Sequence, residues 1–417
     1  MKALITNGYL RSLASALFLL MGIAPEAIAQ APTEIRVGAT LPITGRFSPE
    51  WGPGVRDFML AWEKRTNADG GIFLKSYNRK LPVKFVIYDD ESSPEKSVEL
   101  YERLASVDKV SLFLGPGSSA ITLRASTVAE QLKMPMLATE ANTPMIYGRG
   151  YQWIVGVLKP LSFWSEAYFN MLSELRNRGE NLKTIAFVIA QDPHSSEVGK
   201  ASIARAKAIG LNVVAVEEVP FVVQDFSAVI SKFKAASPDI IYSAMFTTSQ
   251  VTFLKQAAAL GLKAKEMHVT HMVPDLMKSA GPGLAEGLSG ESQMALKHVE
   301  PLFAQILKDL NVADPYEYKS DVTPVRFLAM QTMRRALEAA GTLDREAFMK
   351  SLKAVKYDTP AGPFGFTANL KVGDLVTNGF GSKPQYAMQI QNGKIRAVFP
   401  VDAADTTFKP SPWPKSP

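Results

Sequence analysis

The sequence predicts an α/β protein of two doubly wound lobes, each a parallel sheet with helices on both faces. The chain has 417 residues, 47% hydrophobic and 21% charged, a globular composition long enough for two domains. Short apolar or β-branched runs alternate with amphipathic helical patterns, which is typical of parallel sheets. After Lys159-Pro160 the alternation starts again, so the second half repeats the architecture of the first.

In the first half, each expected strand leads into a helical pattern. Val55, Phe58, Met59 and Trp62 stand at i, i+3, i+4 and i+7, so they share one helix face, and the glycines that follow Asp69 end that helix. Ser93 caps the next helix, with proline at its first position. The remaining expectations are strands at 35–41, 83–88, 110–114 and 134–138 and a helix at 118–132.

The second half repeats this order and ends differently. Asn392-Gly393 between two apolar runs predicts a hairpin, because a type I′ turn needs two residues with positive φ. Four prolines after residue 408 indicate a loose tail, placed at 403–417. The other expected elements are strands at 184–190, 213–216, 239–244, 386–390 and 394–399, and helices at 161–178, 197–209, 249–260, 323–340 and 344–354, with one more capped by Asp225.

The N-terminus has the pattern of a cleaved export signal over residues 1–29. Lys2 and Arg11 precede an apolar run of twelve residues, and Ala27-Ile28-Ala29 fits the small-x-small cleavage rule. The run is too short to span a bilayer, which takes about 20 apolar residues. A soluble exported chain that begins at Gln30 is therefore expected.

Composition excludes several classes of function. The sequence has no cysteine, which excludes disulfides, thiolate metal sites, cysteine nucleophiles and lipid attachment at cysteine. The formal charge of +6 comes from interspersed signs, without a basic block of the kind that contacts nucleic acid. Four histidines without a paired-ligand spacing favour no metal site.

Eight short motifs stand in order over residues 34–400, nearly the whole mature chain. They are VGATLPITG at 37–45, Trp51-Gly52, NADGGI at 67–72, YDDESSP at 88–94, GPGSS at 115–119, DFSAVISK at 225–232, AEGL at 285–288 and TPAGPFG at 359–365. In this order they resemble the leucine/isoleucine/valine-binding proteins of branched-chain-amino-acid-type ABC importers.

The resemblance implies a type I periplasmic-binding fold that closes like a flytrap and delivers its solute to a membrane permease. It implies a periplasmic monomer that has no cofactor and is not an enzyme. The lobes would be 30–156 plus 292–380 and 157–291 plus 381–402, with three crossovers near 155–159, 288–294 and 380–383. The solute would lie at the carboxyl ends of the strands, between the lobes.

The same resemblance suggests the ligand contacts. Ser118 and Ser119 open a helix after a glycine turn, where N–H groups and the macrodipole favour an anion; the family holds the ligand carboxylate there with a serine at the position of Ser119. Either serine could instead serve only as the helix cap. The other expected contacts are Ala141, Asn142, His194, Phe246 and Trp51. Glu140 is unexpected beside an anion, so it would point away or bind a ligand cation.

His271 bears on the ligand class. Amino-acid binders of the family have an acidic residue there, which pairs with the ligand ammonium, and a histidine supplies no such charge. Asp275 could supply that negative charge if its loop folds back toward the ligand. The expected ligand is therefore a small carboxylate, with an aromatic or hydrophobic acid favoured and a branched-chain or other aliphatic amino acid as the alternative.

Two other functions stay open on the sequence. The first is a ligand sensor with the same fold. The second is a dinucleotide-binding enzyme, because Gly115-x-Gly117-x-x-Ala120 follows a strand and Glu140 stands 20 residues beyond Ala120. That motif, however, follows the third strand of its lobe rather than the first.

Overall fold

The protein is described by a computed structural model that covers residues 31–319, 322–372, 375–377 and 379–415. The predicted export signal, at residues 1–29, lies outside these residues. The strands are β1 Ile35–Leu41, β2 Ile72–Leu74, β3 Arg79–Leu81, β4 Val83–Asp89, β5 Leu112–Leu114, β6 Met136–Ala138, β7 Ile154–Leu158, β8 Thr184–Ala190, β9 Asn212–Val219, β10 Ile240–Ala244, β11 Glu266–Val269, β12 Ser289–Ser292, β13 Lys356–Thr359, β14 Gly362–Thr367, β15 Leu370–Val372, β16 Leu375–Thr377, β17 Phe380–Lys383, β18 Tyr386–Gln391 and β19 Lys394–Phe399.

The helices alternate with the strands, as the sequence predicts. They are α1 Gly52–Ala68, α2 Pro94–Ser106, α3 Ser119–Gln131, α4 Pro144–Tyr147, α5 Glu166–Asn177, α6 Pro193–Ala208, α7 Ser227–Ala236, α8 Thr247–Ala259, α9 Pro274–Ala280, α10 Pro282–Ala285, α11 Pro301–Asp309, α12 Thr323–Ala340 and α13 Arg345–Ala354.

Two sheets define two lobes. The first has the order β13-β14-β17-β7-β6-β5-β1-β4 and the second β19-β18-β12-β11-β10-β8-β9. The β4-β1-β5-β6-β7-β17 and β9-β8-β10-β11-β12 runs are parallel, and antiparallel pairing begins at β14 in the first sheet and at β18 in the second. The α/β prediction is confirmed.

Both sheets are covered on both faces. In β8 six of the seven residues are buried, and in β1 six of seven, because helices pack on each side. This explains why these strands read as continuous apolar runs rather than as alternating ones.

The chain changes sheet after β7, after β12 and after β17. These are the three crossovers that the resemblance implied. The expected lobe boundaries at 156 and 291 fall inside strands, and the one at 380 falls on the first residue of β17. Sheet membership would place them at 158, 292 and 383, and the lobe ranges remain a prediction.

Local capping accounts for the shifted start of α6. The structure begins α6 four residues earlier than expected, because the Asp192 carboxylate accepts the N–H groups of His194 and Ser195 and Pro193 fits the first position. The expectation that Asp225 caps α7 is wrong, because the N-cap position is Phe226 and Asp225 lies one residue before it. The Asp225 carboxylate still accepts the Ser227 N–H.

The predicted terminal hairpin is confirmed, and the prediction of a loose tail is wrong. Asn392 and Gly393 have φ of 53° and 69°, as a type I′ turn requires. The Trp413 backbone exchanges hydrogen bonds with Ala264 (2.9 and 3.0 Å), and its indole is 2% exposed and donates to the Leu284 carbonyl (2.9 Å). An apolar ring and a backbone pairing therefore fix residues that the proline content alone suggested were mobile.

Candidate functional site

A narrow cavity lies where both lobes meet, at the carboxyl ends of their parallel strands. Its empty space is about 310 Å³, including the part open to solvent. Six of the eight residues expected to contact a ligand line it. The lining residues are Trp51, Ser118, Ser119, Glu140, Leu158, Trp164, His194, Phe246, His271, Gln293, Val322 and Val325.

The first-lobe wall contains the start of α3. Ser118 caps this helix, since its Oγ accepts the Ile121 N–H (3.3 Å). The Ser119 side chain is 1% exposed, and its Oγ has no hydrogen-bond partner among the described residues. A buried hydroxyl without a partner is costly, so its position in a cavity at a helix N-terminus points to a ligand oxygen. Ser118 therefore serves as the helix cap, and Ser119 remains the expected ligand contact.

The glycines before α3 have a structural reason. A Cβ at Gly115 would come within 2.9 Å of the Ala138 Cα, and one at Gly117 within 2.8 Å of the Trp51 ring. Gly117 therefore lets Trp51 pack directly on the turn that precedes α3. This packing accounts for the spacing that resembled a dinucleotide fingerprint.

Glu140 lines the cavity and is compensated from behind. Its Oε2 forms an ion pair with Arg326 Nη2 (2.9 Å) and accepts a hydrogen bond from the Thr139 hydroxyl. Arg326, on α12, is fully buried and also donates to the Gly115 carbonyl (2.9 Å). Burial raises the pKa of the Glu140 carboxyl, and Arg326 opposes that rise. The carboxyl therefore does not place an uncompensated negative charge beside the Ser119 corner.

The second-lobe wall is made of rings. Trp164 lies edge-on to His194, with ring centroids 4.7 Å apart, and Phe246 stacks on His271 at the same separation. The two imidazoles are 5.0 Å apart. Neither nitrogen of His194 has a hydrogen-bond partner among the described residues. Burial, and then the neighbouring His271, holds the pKa of His194 well below its usual value, so the ring is neutral.

The loop between β1 and α1 joins the two walls. Phe47 packs on Phe246 (4.9 Å between ring centroids), and Trp51 lies 6.3 Å from the same ring. The buried Glu50 carboxylate accepts the N–H of Thr247 at the start of α8 (2.9 Å). This loop therefore gives the first lobe both an apolar and a polar contact with the second.

Ala141 and Asn142 lie outside the lining, so the expectation that they contact the ligand is not supported. The Ala141 carbonyl accepts the Tyr147 hydroxyl (2.6 Å), and the Asn142 amide donates to the Lys159 carbonyl (2.8 Å). The Asn142 amide thereby satisfies a backbone carbonyl of the first crossover, whereas Ala141 is held by α4. Asp275 also lies elsewhere, in an ion pair with Lys319.

Sequence reasoning missed five residues of the lining, of which three are aliphatic and two, Trp164 and Gln293, can form side-chain hydrogen bonds; the aliphatic ones are Leu158, Val322 and Val325. Trp164 follows the crossover after β7, and its indole donates to the Thr270 carbonyl (3.3 Å). An aromatic residue at the restart of the repeating pattern was the available signal. Gln293 follows the crossover after β12, and no pattern in the sequence distinguishes it from a surface glutamine.

A family model described as "Periplasmic binding protein" matches residues 34–394. This chain belongs to that family. The periplasmic binding proteins include a relative from Pseudomonas aeruginosa, the leucine-, isoleucine-, valine-, threonine-, and alanine-binding protein, which is 25% identical over 362 residues, 84% of this chain and 91% of the relative. The predicted resemblance to leucine/isoleucine/valine-binding proteins is confirmed. Proteins of this family bind small molecules and work with ABC permeases.

Solved structures of other members share the fold. The LivJ substrate-binding protein of Streptococcus pneumoniae, in complex with isoleucine, has a TM-score of 0.72 at 18% identity, over 87% of this chain and 97% of that one. A solute-binding protein of an ABC transporter from Rhodopseudomonas palustris, in complex with 3,4-dihydroxy benzoic acid, has a TM-score of 0.68 at 19% identity, over 87% and 95%. These likenesses establish the type I periplasmic-binding fold.

In the described part of the chain, the helices are all too short or too polar to cross a membrane.

Proposed function

We propose that this periplasmic binding protein captures a small aromatic carboxylate for an ABC importer. One observation carries the proposal. A buried, unpartnered Ser119 hydroxyl at a helix N-terminus faces a wall of aromatic and imidazole rings across the cavity. The hydroxyl and the helix N–H groups suit a carboxylate, and the rings suit a flat apolar body.

The charges of the lining support an acid without an ammonium group. In the described lining, Glu140 is the acidic side chain, and it is already ion-paired with Arg326. A desolvated ammonium needs a negative charge of its own. The neutral His194 offers two ring nitrogens that could hydrogen bond a ring hydroxyl. The solved relative that holds 3,4-dihydroxy benzoic acid shows that this fold accommodates such a ligand.

A branched-chain or other aliphatic amino acid is the second candidate. Glu140 Oε1 is buried and has no hydrogen-bond partner among the described residues, so it could accept an ammonium N–H. The Pseudomonas aeruginosa relative, named for five such amino acids, makes this candidate concrete.

In this proposal binding needs no bond chemistry. The ligand contacts both lobes, so it binds the closed arrangement better and shifts the population toward it. The Glu50–Thr247 and Phe47–Phe246 contacts are ones that closure would form. The closed molecule would then present its solute to the permease as a monomer.

A thermal-shift panel tests the ligand class on the mature chain. It compares benzoate, 4-hydroxybenzoate, 3,4-dihydroxybenzoate, leucine and isoleucine. A ligand at 100 times its dissociation constant stabilises by about 2.7 kcal/mol, which raises the melting temperature measurably. The proposal expects a shift with at least one benzoate. A shift with leucine and with none of the benzoates contradicts it.

The Glu140→Gln variant separates the two candidates by a second route. The amide oxygen of the variant can still accept a hydrogen bond from Arg326, whereas the negative charge of the side chain is lost. Affinity for an aromatic acid should change less than about threefold, whereas an ammonium partner should lose roughly 2 kcal/mol or more, about thirtyfold. The exposed Glu102→Gln is the matched control.

Export can be tested separately from binding. N-terminal sequencing of the protein from the periplasm should begin at Gln30. Binding to membranes only when the cognate permease is present would support an importer. Binding to a signalling receptor instead would support the sensor.

A further inference from the structure

A second cavity lies on the hinge side of the molecule, behind the candidate ligand site. Its empty space is about 410 Å³, including the part open to solvent. Two crossovers, the helices α11 and α12 and the turn between β13 and β14 form its walls. The lining residues are Gln293, Met294, Ala295, His298, Val299, Glu300, Phe303, Pro324, Phe327, Leu328, Thr359, Pro360, Ala361 and Lys383.

Gln293 marks this cavity as more than a packing defect. The side chain is 1% exposed, lines both cavities, and has no hydrogen-bond partner for either amide atom among the described residues. Buried amides without partners are rare in native proteins, because each lost hydrogen bond costs free energy. A polar group on a bound molecule would remove that cost.

Two opposite charges face the same space without pairing with each other. Lys383 and Glu300 are both partly buried, and within the described residues neither has an ion pair within 4.0 Å. Burial lowers the pKa of the Lys383 ammonium to about 8, which Glu300 opposes, and burial raises the pKa of the Glu300 carboxyl. Burial thus outweighs the opposite charges near each group, which are Glu300 for Lys383, and Arg335 and then Lys383 for Glu300.

The rest of the wall is apolar. Phe303, Phe327 and Leu328 are almost fully buried and come from two helices of the first lobe. His298 turns its Nδ1 toward the Tyr386 hydroxyl (2.7 Å). The cavity thus combines one cation, one anion and an unpartnered amide with an apolar floor.

We propose that the hinge-side cavity is a second ligand site, which takes an apolar α-amino acid as its zwitterion. Its carboxylate pairs with Lys383, its ammonium with Glu300, and its side chain packs on Phe303 and Phe327. Both charges of the ligand are thereby matched, which neither a simple acid nor a simple amine achieves. This site does not depend on the identity of the solute in the cavity between the lobes.

Calorimetric titration of the mature chain with L-phenylalanine and L-leucine tests the site. The proposal expects binding that Lys383→Met or Glu300→Gln weakens at least tenfold and that Ser119→Ala leaves within twofold. Two analogues of phenylalanine, 3-phenylpropionate without the ammonium and 2-phenylethylamine without the carboxylate, should bind at least tenfold more weakly than phenylalanine at this site. Lys356→Met, an exposed lysine of the same sheet, is the matched control.

Failure here is distinguishable from failure of the proposed function. If amino-acid binding is lost in Ser119→Ala and unchanged in both Lys383→Met and Glu300→Gln, the amino acid occupies the cavity between the lobes and the hinge site is overturned. Absence of any amino-acid binding overturns it as well. If no benzoate binds but phenylalanine binding depends on Lys383 and Glu300, the hinge site stands and the aromatic-acid proposal falls.

Discussion

The two walls of the cavity between the lobes differ in chemistry and in support. The first-lobe wall presents Ser119 and Glu140 and is held from behind by Arg326, which reaches both the Glu140 carboxylate and the Gly115 carbonyl. The second-lobe wall presents rings, held by ring contacts and by the Trp164 hydrogen bond. Under the proposed function, the first-lobe wall recognises charge and the second-lobe wall recognises shape.

The largest expected effect comes from removing Arg326, which supports the first-lobe wall with Ser119 and Glu140, the polar wall. Arg326→Met leaves the Glu140 carboxyl buried without its ion-pair partner. Breaking a buried pair on one side costs about 3–5 kcal/mol, so the free energy of unfolding, measured with urea, should fall by that amount.

Arg334→Met is the matched control on the same helix. Its ion pair with Glu338 is partly exposed, so the loss should stay below about 1 kcal/mol. The double variant Glu140→Gln/Arg326→Met should recover part of the stability. Equal stability of Arg326→Met and the wild-type chain would show that the polar wall does not depend on this arginine.

The next effect separates binding from capping within the polar wall. Ser119→Ala should weaken carboxylate binding by about 1.5–3 kcal/mol, roughly tenfold or more, because a hydrogen bond to a charged oxygen is lost. Its stability should change little. Ser118→Ala should leave carboxylate binding nearly unchanged and lower the free energy of unfolding by about 1 kcal/mol, because the helix cap is lost. Titration calorimetry and urea unfolding of both variants check this, and interchanged results would assign the ligand contact to Ser118.

The smallest effect concerns the second-lobe wall of rings, the ring wall, and the pH dependence of the free energy of unfolding. The pKa of His194 is well below 6.5 in the folded chain, so below about pH 6.5 only the unfolded chain protonates this ring. The unfolded state then binds more protons, and wild-type stability falls as the pH falls. His194→Phe removes this contribution, so the stability difference between the two should change by about 1.4 kcal/mol per pH unit below pH 6.5. Parallel stability curves from pH 7 to pH 5.5 would contradict it.

Much of the fold could be predicted from the sequence because its signals are local. The bounds of β1 and of Thr323–Ala340 agree with the expectation, and Asn392-Gly393 set the terminal hairpin. The position of Trp413 could not be predicted, since its partner Ala264 is far away in the chain. Long-range pairing leaves no periodic pattern.

The candidate site could be predicted in part for a similar reason. The resemblance to the leucine/isoleucine/valine-binding proteins suggested Ser119, His194 and Phe246, and all three follow parallel strands, whose carboxyl ends meet at one edge of a sheet. The direction of a loop is not set by this rule, so Ala141 and Asn142 were expected in the cavity and lie outside it. The partner of Glu140 comes from α12, nearly two hundred residues later, and only the folded chain reveals it.

The buried Arg326 also has a consequence for the kinetics of capture. Because it fixes the Ser119 corner before a solute arrives, the residues that meet the solute first need no rearrangement, and encounter can proceed at a rate limited by diffusion. The slow, ligand-dependent step is then left to the ring wall as it swings shut. Under the proposed function, solutes should therefore differ mainly in residence time rather than in association rate.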